Sequence, residues 1–229
     1  MMKDIQIIEQ SELQGVYFKV SDENMFEIHL MIVGPNDTPY QNGLYFFTLN
    51  FDKEKHPFVP PKAKFYQGLQ GIRFHPNFYS NGKVCLSLLN TWQGPKWSAC
   101  QTLLSISSVI LSLFDDNPLA HEPGFDDPMH YKSQQEYKQI ISYMNIRNII
   151  EVMYCMDNTD NTDNTDDKNI FGLFEKEIKD HVDKNRENIE DFLVKKFVGN
   201  HSRYNISIYN MKGVYDGDKL HNDFRRVFF

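Results

Sequence analysis

The residues of this sequence whose side chains are best suited to take part in a reaction are Asn77 and Cys85. They lie eight positions apart in an irregular segment. A cysteine thiolate is a good nucleophile, and its thioesters react readily with amines. Attack on a thioester produces an oxyanion, which an amide side chain can stabilise by donating a hydrogen bond. The pair predicts acyl transfer through a thioester on Cys85, with Asn77 as the oxyanion donor and with His75 and Pro76 shaping the turn that aims it. This chemistry requires a sulfur atom open to a bulky acyl partner.

Each of these residues also has a purely structural interpretation. Free cysteines are among the most buried residues, so Cys85 alone could be an inert thiol. Asn side chains commonly bond nearby backbone, so Asn77 could only brace its loop. No second His or Cys stands at ligand spacing from His75, which argues against zinc. A protease-like dyad of His75 and Cys85 is conceivable, although nothing in the sequence supplies its other parts.

Four segments that could position this chemistry have the alternating pattern or the residue types of β-strands. They are residues 16–20, 25–33, 44–51 and 62–66. Short turns join them in chain order, which predicts an antiparallel meander. Residues 68–97 show no sustained period, and a long irregular segment inside a compact domain is usually functional or mobile.

Two helices are predicted after the irregular segment. Apolar residues at helical spacing mark residues 101–114, and the sequence Asp-Asp-Asn-Pro ends this helix because the residue before a proline avoids the helical region. Residues 133–136 (SQQE) form a capping-box pattern that opens a helix through about Tyr154. Cys100 and Cys155 fall in these helical patterns, so core packing is expected for both.

The second half of the chain contains a low-complexity acidic segment, in which the triplet Asp-Asn-Thr is repeated three times. Such a composition is typical of a solvated, flexible linker. Amphipathic helical spacing then continues to a stop at Gly199, and residues 204–209 form a candidate strand. We therefore predict a core with a long C-terminal helix over residues 1–156, a linker over 157–168 and a helical extension over 169–229.

Composition and charge narrow the functional classes. The chain has 229 residues, of which 41% are hydrophobic, enough for a packed core. Its net charge of -7 argues against a nucleic-acid partner, which normally requires a basic face. Three cysteines without paired spacing, and no secretory leader pattern near Met1, indicate a reducing compartment. No apolar run approaches the ~18 residues of a membrane span.

The segment that ends at Cys85 resembles the active-site signature of ubiquitin-conjugating enzymes. That signature is HPN, then Gly, any residue, an aliphatic residue and the catalytic Cys, and residues 75–85 read HPNFYSNGKVC. Further segments resemble family motifs in the same order: GPNDTPYQNG at 34–43, HPFVPPK at 56–62, WS at 97–98 and EPG at 122–124. His56 stands where tyrosine is usual. The longer segment after Cys85 and the helical extension are similar to those of the large hybrid conjugating and ligating subgroup.

The resemblance implies a fold, an activity and a set of partners. The implied fold is α+β and UBC-like, a four-stranded antiparallel meander flanked by helices, with a helical C-terminal extension. The implied activity is that Cys85 accepts ubiquitin from an activating enzyme as a thioester and passes it to a lysine of a substrate protein or to a ubiquitin ligase. ATP is used by the activating enzyme, so no bound cofactor and no metal are expected. The expected location is cytoplasmic or nuclear, with no nucleic-acid or membrane partner.

By alignment with the family, Asn117 takes the place of an acidic residue that helps to deprotonate the incoming lysine. Asp116 lies beside it and His121 follows, and the sequence leaves open which of them faces Cys85. An acid near an amine favours its charged form, so the role is positioning and late proton removal. The family's first helix is represented by residues 1–10, enough for about two turns at ~3.6 residues per turn.

Three other functions remain to be distinguished. A conjugating enzyme for another ubiquitin-like modifier would use the same chemistry. A non-catalytic ubiquitin-binding scaffold generally lacks the cysteine, which is present here as Cys85. A cysteine hydrolase would need a general base near Cys85 and would release a modifier instead of holding it.

Overall fold

The computed structural model describes residues 1–11, 13–69, 71–157 and 166–229. Its central element is a four-stranded antiparallel sheet in the order β1-β2-β3-β4. The strands are β1 (Val16–Val20), β2 (Glu27–Val33), β3 (Leu44–Asn50) and β4 (Lys62–Tyr66). The predicted meander is confirmed, and β1 and β4 have the predicted bounds.

Aromatic residues of β3 pack on both faces of this sheet. On one face the ring of Phe47 lies 5.1 Å from the rings of Phe65 and Phe78. On the other face the ring of Phe46 lies 4.8 Å from the ring of Phe171. Successive side chains of a strand point to opposite faces, so neighbouring phenylalanines serve two different layers. One face of the sheet supports the irregular segment, and the other supports the C-terminal extension.

The first 157 residues also contain α1 (Met2–Glu9), α2 (Leu103–Ser112) and α3 (Tyr131–Asp157). A capping box of Thr102 and Ser105 begins α2, because each side chain accepts a hydrogen bond from the other's backbone N–H. The box predicted at Ser133 does not begin a helix, since α3 starts earlier, at Tyr131. Helix α3 directly follows a 3-10 turn that the carboxylate of Asp127 caps. None of the helices in the described ranges is both long and apolar enough to cross a membrane.

The C-terminal extension contains three helices and a β-hairpin within its described residues. Its elements are α4 (Asp166–Leu173), α5 (Glu175–Lys196), β5 (Arg203–Ile206), β6 (Met211–Val214) and α6 (Gly217–Phe228). The candidate strand at residues 204–209 is therefore half of an antiparallel pair. It ends before Tyr209, because Ser207–Tyr209 form a 3-10 turn and Asn210 then adopts a left-handed φ of 52°.

The predicted linker over residues 157–168 has ends that the structure describes. Asp157 is the last residue of α3, and α4 begins at Asp166, so both ends are helical rather than extended. Residues 158–165, which hold most of the Asp-Asn-Thr triplets, lie outside the described residues. The linker remains a prediction there.

The extension packs on the sheet as part of one continuous hydrophobic core. Phe171 and Phe174 are both buried, and their rings lie 4.8 Å and 6.1 Å from that of Phe46. An ion pair between Lys19 Nζ and Glu177 Oε1, 2.6 Å apart, joins β1 to α5. We therefore expect the extension and the sheet to unfold together.

Replacing Phe174 with alanine tests this shared core. Phe174 is fully buried, so its truncation removes apolar burial and leaves a cavity. We expect the free energy of unfolding to fall by about 3–5 kcal/mol, measured by urea denaturation. The neighbouring Leu173 is 45% exposed, and Leu173→Ala is the matched control, with an expected change within about 0.5 kcal/mol. Equally small changes for both variants would contradict the shared core.

Candidate active site

A tight turn formed by the HPN residues presents Asn77 to Cys85. The backbone N–H of Asn77 donates to Nδ1 of His75 at 3.0 Å, and the backbone N–H of Phe78 donates to the His75 carbonyl at 3.0 Å. The imidazole of His75 is fully buried, so it acts here as an internal acceptor that closes the turn. The predicted shaping role of His75 follows from these contacts.

Asn77 and Cys85 are joined by a reciprocal pair of hydrogen bonds. Asn77 Nδ2 donates to the Cys85 carbonyl at 2.6 Å, and the Cys85 backbone N–H donates to the Asn77 carbonyl at 2.9 Å. An asparagine amide carries two N–H groups, so one of them is left for another acceptor. In this structure the Asn77 side chain stabilises the loop that carries Cys85. Donation of a hydrogen bond from Asn77 to the oxyanion stays a prediction.

Cys85 is only 2% exposed, so the expectation of an open sulfur atom is wrong for this structure. The chain is tied down on both sides of the thiol. Phe78 forms an antiparallel bridge with Val84, and the backbone N–H of Leu86 donates to the Thr91 hydroxyl oxygen at 2.9 Å. Its neighbours in the chain, Val84 and Leu86, both belong to the hydrophobic core. Exposing the sulfur therefore requires movement of the loops that hold these residues.

The other cysteines differ from expectation to different degrees. Cys100 is exposed, because α2 begins only at Leu103 and leaves Cys100 in the preceding turn. Its Sγ atom lies 3.0 Å from the hydroxyl of Ser98. Cys155 is partly buried near the end of α3 and packs against the core. The prediction of core packing is thus wrong for Cys100.

Asn117 and His121 lie at opposite ends of a 3-10 turn, Pro118–His121. The ring of His121 packs 5.0 Å from the ring of His75, which brings this turn against the HPN residues. The side-chain oxygen of Asn117 is buried and accepts no hydrogen bond from the part of the chain that the structure describes. The structure thus associates His121 with the HPN turn, and among the described residues no hydrogen bond joins the side-chain oxygen of Asn117 to that turn.

An acidic residue that the sequence did not single out orients His121. Nε2 of His121 lies 2.7 Å from Oδ2 of Asp115. Burial alone would raise the pKa of Asp115, but the hydrogen bond and charge of His121 hold the pKa below its usual value. The neighbouring Asp116 pairs instead with Lys138, at 2.9 Å, and its side chain is 71% exposed. Asp115 is therefore the carboxylate that shapes this side of the site.

Two hydrogen bonds involve three other segments with family-like sequence that lie before and after the HPN turn. The hydroxyl of Tyr40 donates to the Phe74 carbonyl at 2.9 Å, which joins the GPNDTPY segment to the residue before the HPN turn. Nε1 of Trp97 donates to the Pro57 carbonyl at 2.7 Å, which joins the WS and HPFVPPK segments. These contacts give a physical reason for the combined presence of the motifs.

Sequence reasoning missed two residues that hold the HPN turn. Arg73 donates from Nε to the His75 carbonyl at 3.1 Å and from Nη2 to the Pro76 carbonyl at 2.5 Å. Its guanidinium carbon lies 3.5 Å from the ring centroid of Tyr79 and 5.1 Å from that of Tyr209. Arg73 adjoins the HPN motif, which is a usable signal. No linear pattern connects Tyr209 to this site.

The protonation state of His75 provides a testable consequence of its burial. Burial lowers the pKa of His75 well below its usual value, and the nearby positive charges of His121 and Arg73 lower it further. A neutral ring can accept the Asn77 N–H at Nδ1, whereas a protonated ring cannot. We expect NMR shifts of the His75 ring carbons to show a neutral imidazole below pH 6.5, where an ordinary histidine is protonated.

The same shift in pKa sets the direction of the pH dependence of stability. The unfolded chain takes up a proton at this residue near the ordinary histidine pKa of 6.5, and the folded chain does not. The contribution of His75 is therefore complete above that pH and is lost as the pH falls below it. A His75 resonance that titrates near pH 6.5 in the folded protein would contradict this account.

Comparison with known proteins places the chain in a family. The family model described as "Ubiquitin-conjugating enzyme" matches residues 1–145, more than half of the chain. The fold and the HPN–Cys arrangement agree with that match. This protein belongs to the ubiquitin-conjugating enzyme family.

Several relatives resemble this chain over its first part. Ubiquitin-conjugating enzyme E2 Z of Xenopus tropicalis is 40% identical over 146 residues, which are 63% of this chain and 46% of that protein. Its Homo sapiens counterpart is 39% identical over 146 residues, which are 63% of this chain and 41% of that protein. Probable ubiquitin-conjugating enzyme E2 23 of Arabidopsis thaliana is 32% identical over 194 residues, 80% of this chain and 16% of that protein. The chain thus spans less than half the length of these relatives.

A solved structure was also found to be similar. The structure of human ubiquitin-conjugating enzyme E2 G1 has 27% sequence identity and a TM-score of 0.43, and it covers 49% of this chain and 89% of that chain.

Proposed function

We propose that this protein is a ubiquitin-conjugating enzyme that carries ubiquitin as a thioester on Cys85 and transfers it to a substrate lysine or to a ligase. Family membership supports the class of reaction. The hydrogen-bonded pair of Asn77 and Cys85 is the single observation that carries the assignment to this cysteine. Among the three free cysteines, it is the one that follows the HPN turn.

In the first transfer, the Cys85 thiolate attacks the carbonyl carbon at the C terminus of ubiquitin, held as a thioester by the activating enzyme. A new C–S bond forms, and the cysteine of the activating enzyme leaves as a thiolate, so the exchange balances without a cofactor. ATP is consumed by the activating enzyme, and we expect no cofactor or metal bound to this chain. Ubiquitin, the activating enzyme, a substrate protein and, in some reactions, a ligase are the partners we propose.

In the second transfer, a lysine amine attacks the Cys85 thioester and the Cys85 thiolate leaves as the amide forms. The second N–H of Asn77 is available to the oxyanion. Asn117 has no basic atom, so its side-chain oxygen is limited to accepting a hydrogen bond from the amine. We assign removal of the amine proton to Nδ1 of the neutral His121 ring, because Asp115 holds Nε2 at 2.7 Å and so orients the ring.

Both transfers require the site to open. Cys85 and the side-chain oxygen of Asn117 are buried, so neither can meet a reactant while the loops keep this arrangement. We infer that a charging partner binds a minor, open form of these loops and so increases its population.

Incubation with ubiquitin, its activating enzyme and ATP tests the proposal. We expect one ubiquitin to become attached, with an adduct that a thiol reductant removes and that does not form without ATP. The same assay with other ubiquitin-like modifiers and their activating enzymes identifies which modifier the enzyme carries. Failure to form such an adduct with any of these pairs would overturn the proposed function.

The burial of Cys85 favours one alternative, a non-catalytic ubiquitin-binding scaffold. A scaffold would bind ubiquitin reversibly and would not be charged. Titration with ubiquitin followed by NMR, carried out beside the charging assay, separates the two functions. Binding without charging would identify the scaffold. We propose a reducing compartment, the cytoplasm or the nucleus, for either function, because the cysteines are free thiols.

A further inference from the structure

Tyr209 of the C-terminal extension contacts both sides of the proposed active site. Its ring centroid lies 5.1 Å from the guanidinium carbon of Arg73, just before the HPN turn. Its hydroxyl lies 2.7 Å from Oε2 of Glu122, just after the turn that ends at His121. The backbone N–H of Arg73 also donates to Sδ of Met211, at 3.2 Å. The hairpin of β5 and β6 therefore meets two segments that the predicted chemistry uses.

Arg73 transmits this contact to the residues that precede Asn77. Its guanidinium donates to the carbonyls of His75 and Pro76, and its central carbon lies 3.5 Å and 5.1 Å from the ring centroids of Tyr79 and Tyr209. A guanidinium is planar, and its donors are fixed relative to one another. A cation is attracted to the face of an aromatic ring within about 6 Å. The two rings therefore limit the positions of the guanidinium and of the two carbonyls that it binds.

The hydroxyl of Tyr209 provides the second attachment. Burial, the neighbouring Tyr137 and the carboxylate of Glu122 raise the pKa of Tyr209, so the hydroxyl stays protonated. It therefore donates to Glu122, and hydrogen bonds to a charged acceptor are stronger than neutral ones. The side chain is also packed 5.5 Å from the ring of Tyr137 on α3. Its position is thus fixed by the core and not only by its own short turn.

We propose that Tyr209 is a positioning residue for transfer from Cys85 and that it acts through Arg73 on the turn that carries Asn77. The proposal rests on the proposed function, which it extends by giving the C-terminal extension a part in the second transfer. Tyr209 touches no reacting atom in this assignment. Its effect is to keep the Asn77 amide in register with the Cys85 thioester, where a displacement of about 1 Å can cost on the order of 100-fold in rate.

Three variants of the full chain test this proposal by separate measurements of charging and of single-turnover discharge onto lysine. Tyr209→Ala removes the ring, Tyr209→Phe keeps the ring and removes the hydroxyl, and Ile208→Ala is the control. Ile208 lies in the same 3-10 turn and is 36% exposed. We expect Tyr209→Ala to charge normally and to discharge about tenfold more slowly, since the displacement is partial. Tyr209→Phe should retain most of the discharge rate, and Ile208→Ala should match the wild type.

A double-mutant comparison tests the path through Arg73. Arg73→Lys keeps the positive charge and removes the planar guanidinium with its fixed donors. It should therefore slow discharge by a factor similar to that of Tyr209→Ala. If the two residues act on one path, Arg73→Lys combined with Tyr209→Ala should be no slower than either single variant. Fully additive losses would overturn the path through Arg73.

The outcomes distinguish this inference from the proposed function. A wild-type protein that is never charged would overturn the proposed function, and the catalytic part of this inference with it. A wild type that charges, together with Tyr209→Ala that discharges at the wild-type rate, would overturn the inference alone. So would a Tyr209→Phe variant that loses as much as Tyr209→Ala. If Tyr209→Ala does not fold, Tyr209→Leu takes its place, because it retains apolar volume and removes the aromatic face. It should show the same slow discharge, and a wild-type rate would overturn the inference.

Discussion

Cys85→Ala forms no ubiquitin adduct under conditions that charge the wild type; this is the largest effect we expect. The variant lacks the sulfur atom, and no other group at that position can form a thioester. The change deletes a single buried sulfur atom, a small loss of packed volume, so the fold should persist. The measurement is a gel of the charging reaction with and without reductant. An adduct equal to that of the wild type would contradict the catalytic role of Cys85.

Two further variants make this result specific. Cys85→Lys presents an amine at the same position and should trap an adduct that resists reductant, because an amide replaces the thioester. Cys100→Ser is the matched control, since Cys100 is the exposed cysteine of the chain. It should charge as the wild type does. Loss of charging in Cys100→Ser with retention in Cys85→Ala would move the proposed acceptor to Cys100.

Asn77→Ala should slow discharge onto lysine by a factor on the order of 10²–10³, the second largest effect, because it removes a donor to the developing oxyanion. Charging should remain close to normal, since the first thiol exchange uses an activated thioester supplied by another enzyme. The measurement is single-turnover discharge of the charged protein at a fixed lysine concentration.

The control for Asn77 comes from the same loop. Asn81 is exposed, and its side chain accepts the Lys83 backbone N–H at 3.1 Å. Asn81→Ala should discharge as the wild type does. Asn77 also braces the Cys85 carbonyl, so amide hydrogen exchange at Cys85 should quicken in Asn77→Ala. Faster exchange with an unchanged discharge rate would show that Asn77 is only a brace.

The sheet was predictable from sequence because its signal is local. Alternation of apolar and polar residues has the period of a strand, and it marks Val16–Val20 at the bounds that the structure has. Lys62–Tyr66, a possible short strand after two prolines, also has its predicted bounds. The start of α3 was less predictable. Its first turn follows Pro128–His130, and the capping side chain, Asp127, lies outside the pattern that was recognised at Ser133.

The hairpin in the extension was only half predictable. The residues of β5 have strand character, and Tyr204 is one of them. Its partner, β6 (Met211–Val214), includes Gly213, which carries no strand signal. The turn between them depends on a left-handed Asn210, a conformation that asparagine permits but does not require.

The sequence predicted which residues form the candidate site, but it did not predict that Cys85 is buried. The spacing of Asn77 and Cys85 indicated that they meet, and they do so through two hydrogen bonds. The burial of Cys85 depends on how the loops around Thr91 and Val84 fold back, which no motif reports. Tyr209 could not be found from sequence, because its contacts lie far away along the chain.

Peptide mapping of the charged wild type by mass spectrometry shows which cysteine carries ubiquitin. The protein is charged with ubiquitin, the remaining thiols are blocked, and the protected cysteine is identified after the thioester is cleaved. The account predicts that Cys85 alone is protected, although Cys100 is the more exposed thiol. Protection of Cys100 or Cys155 in place of Cys85, or of no cysteine, would contradict it.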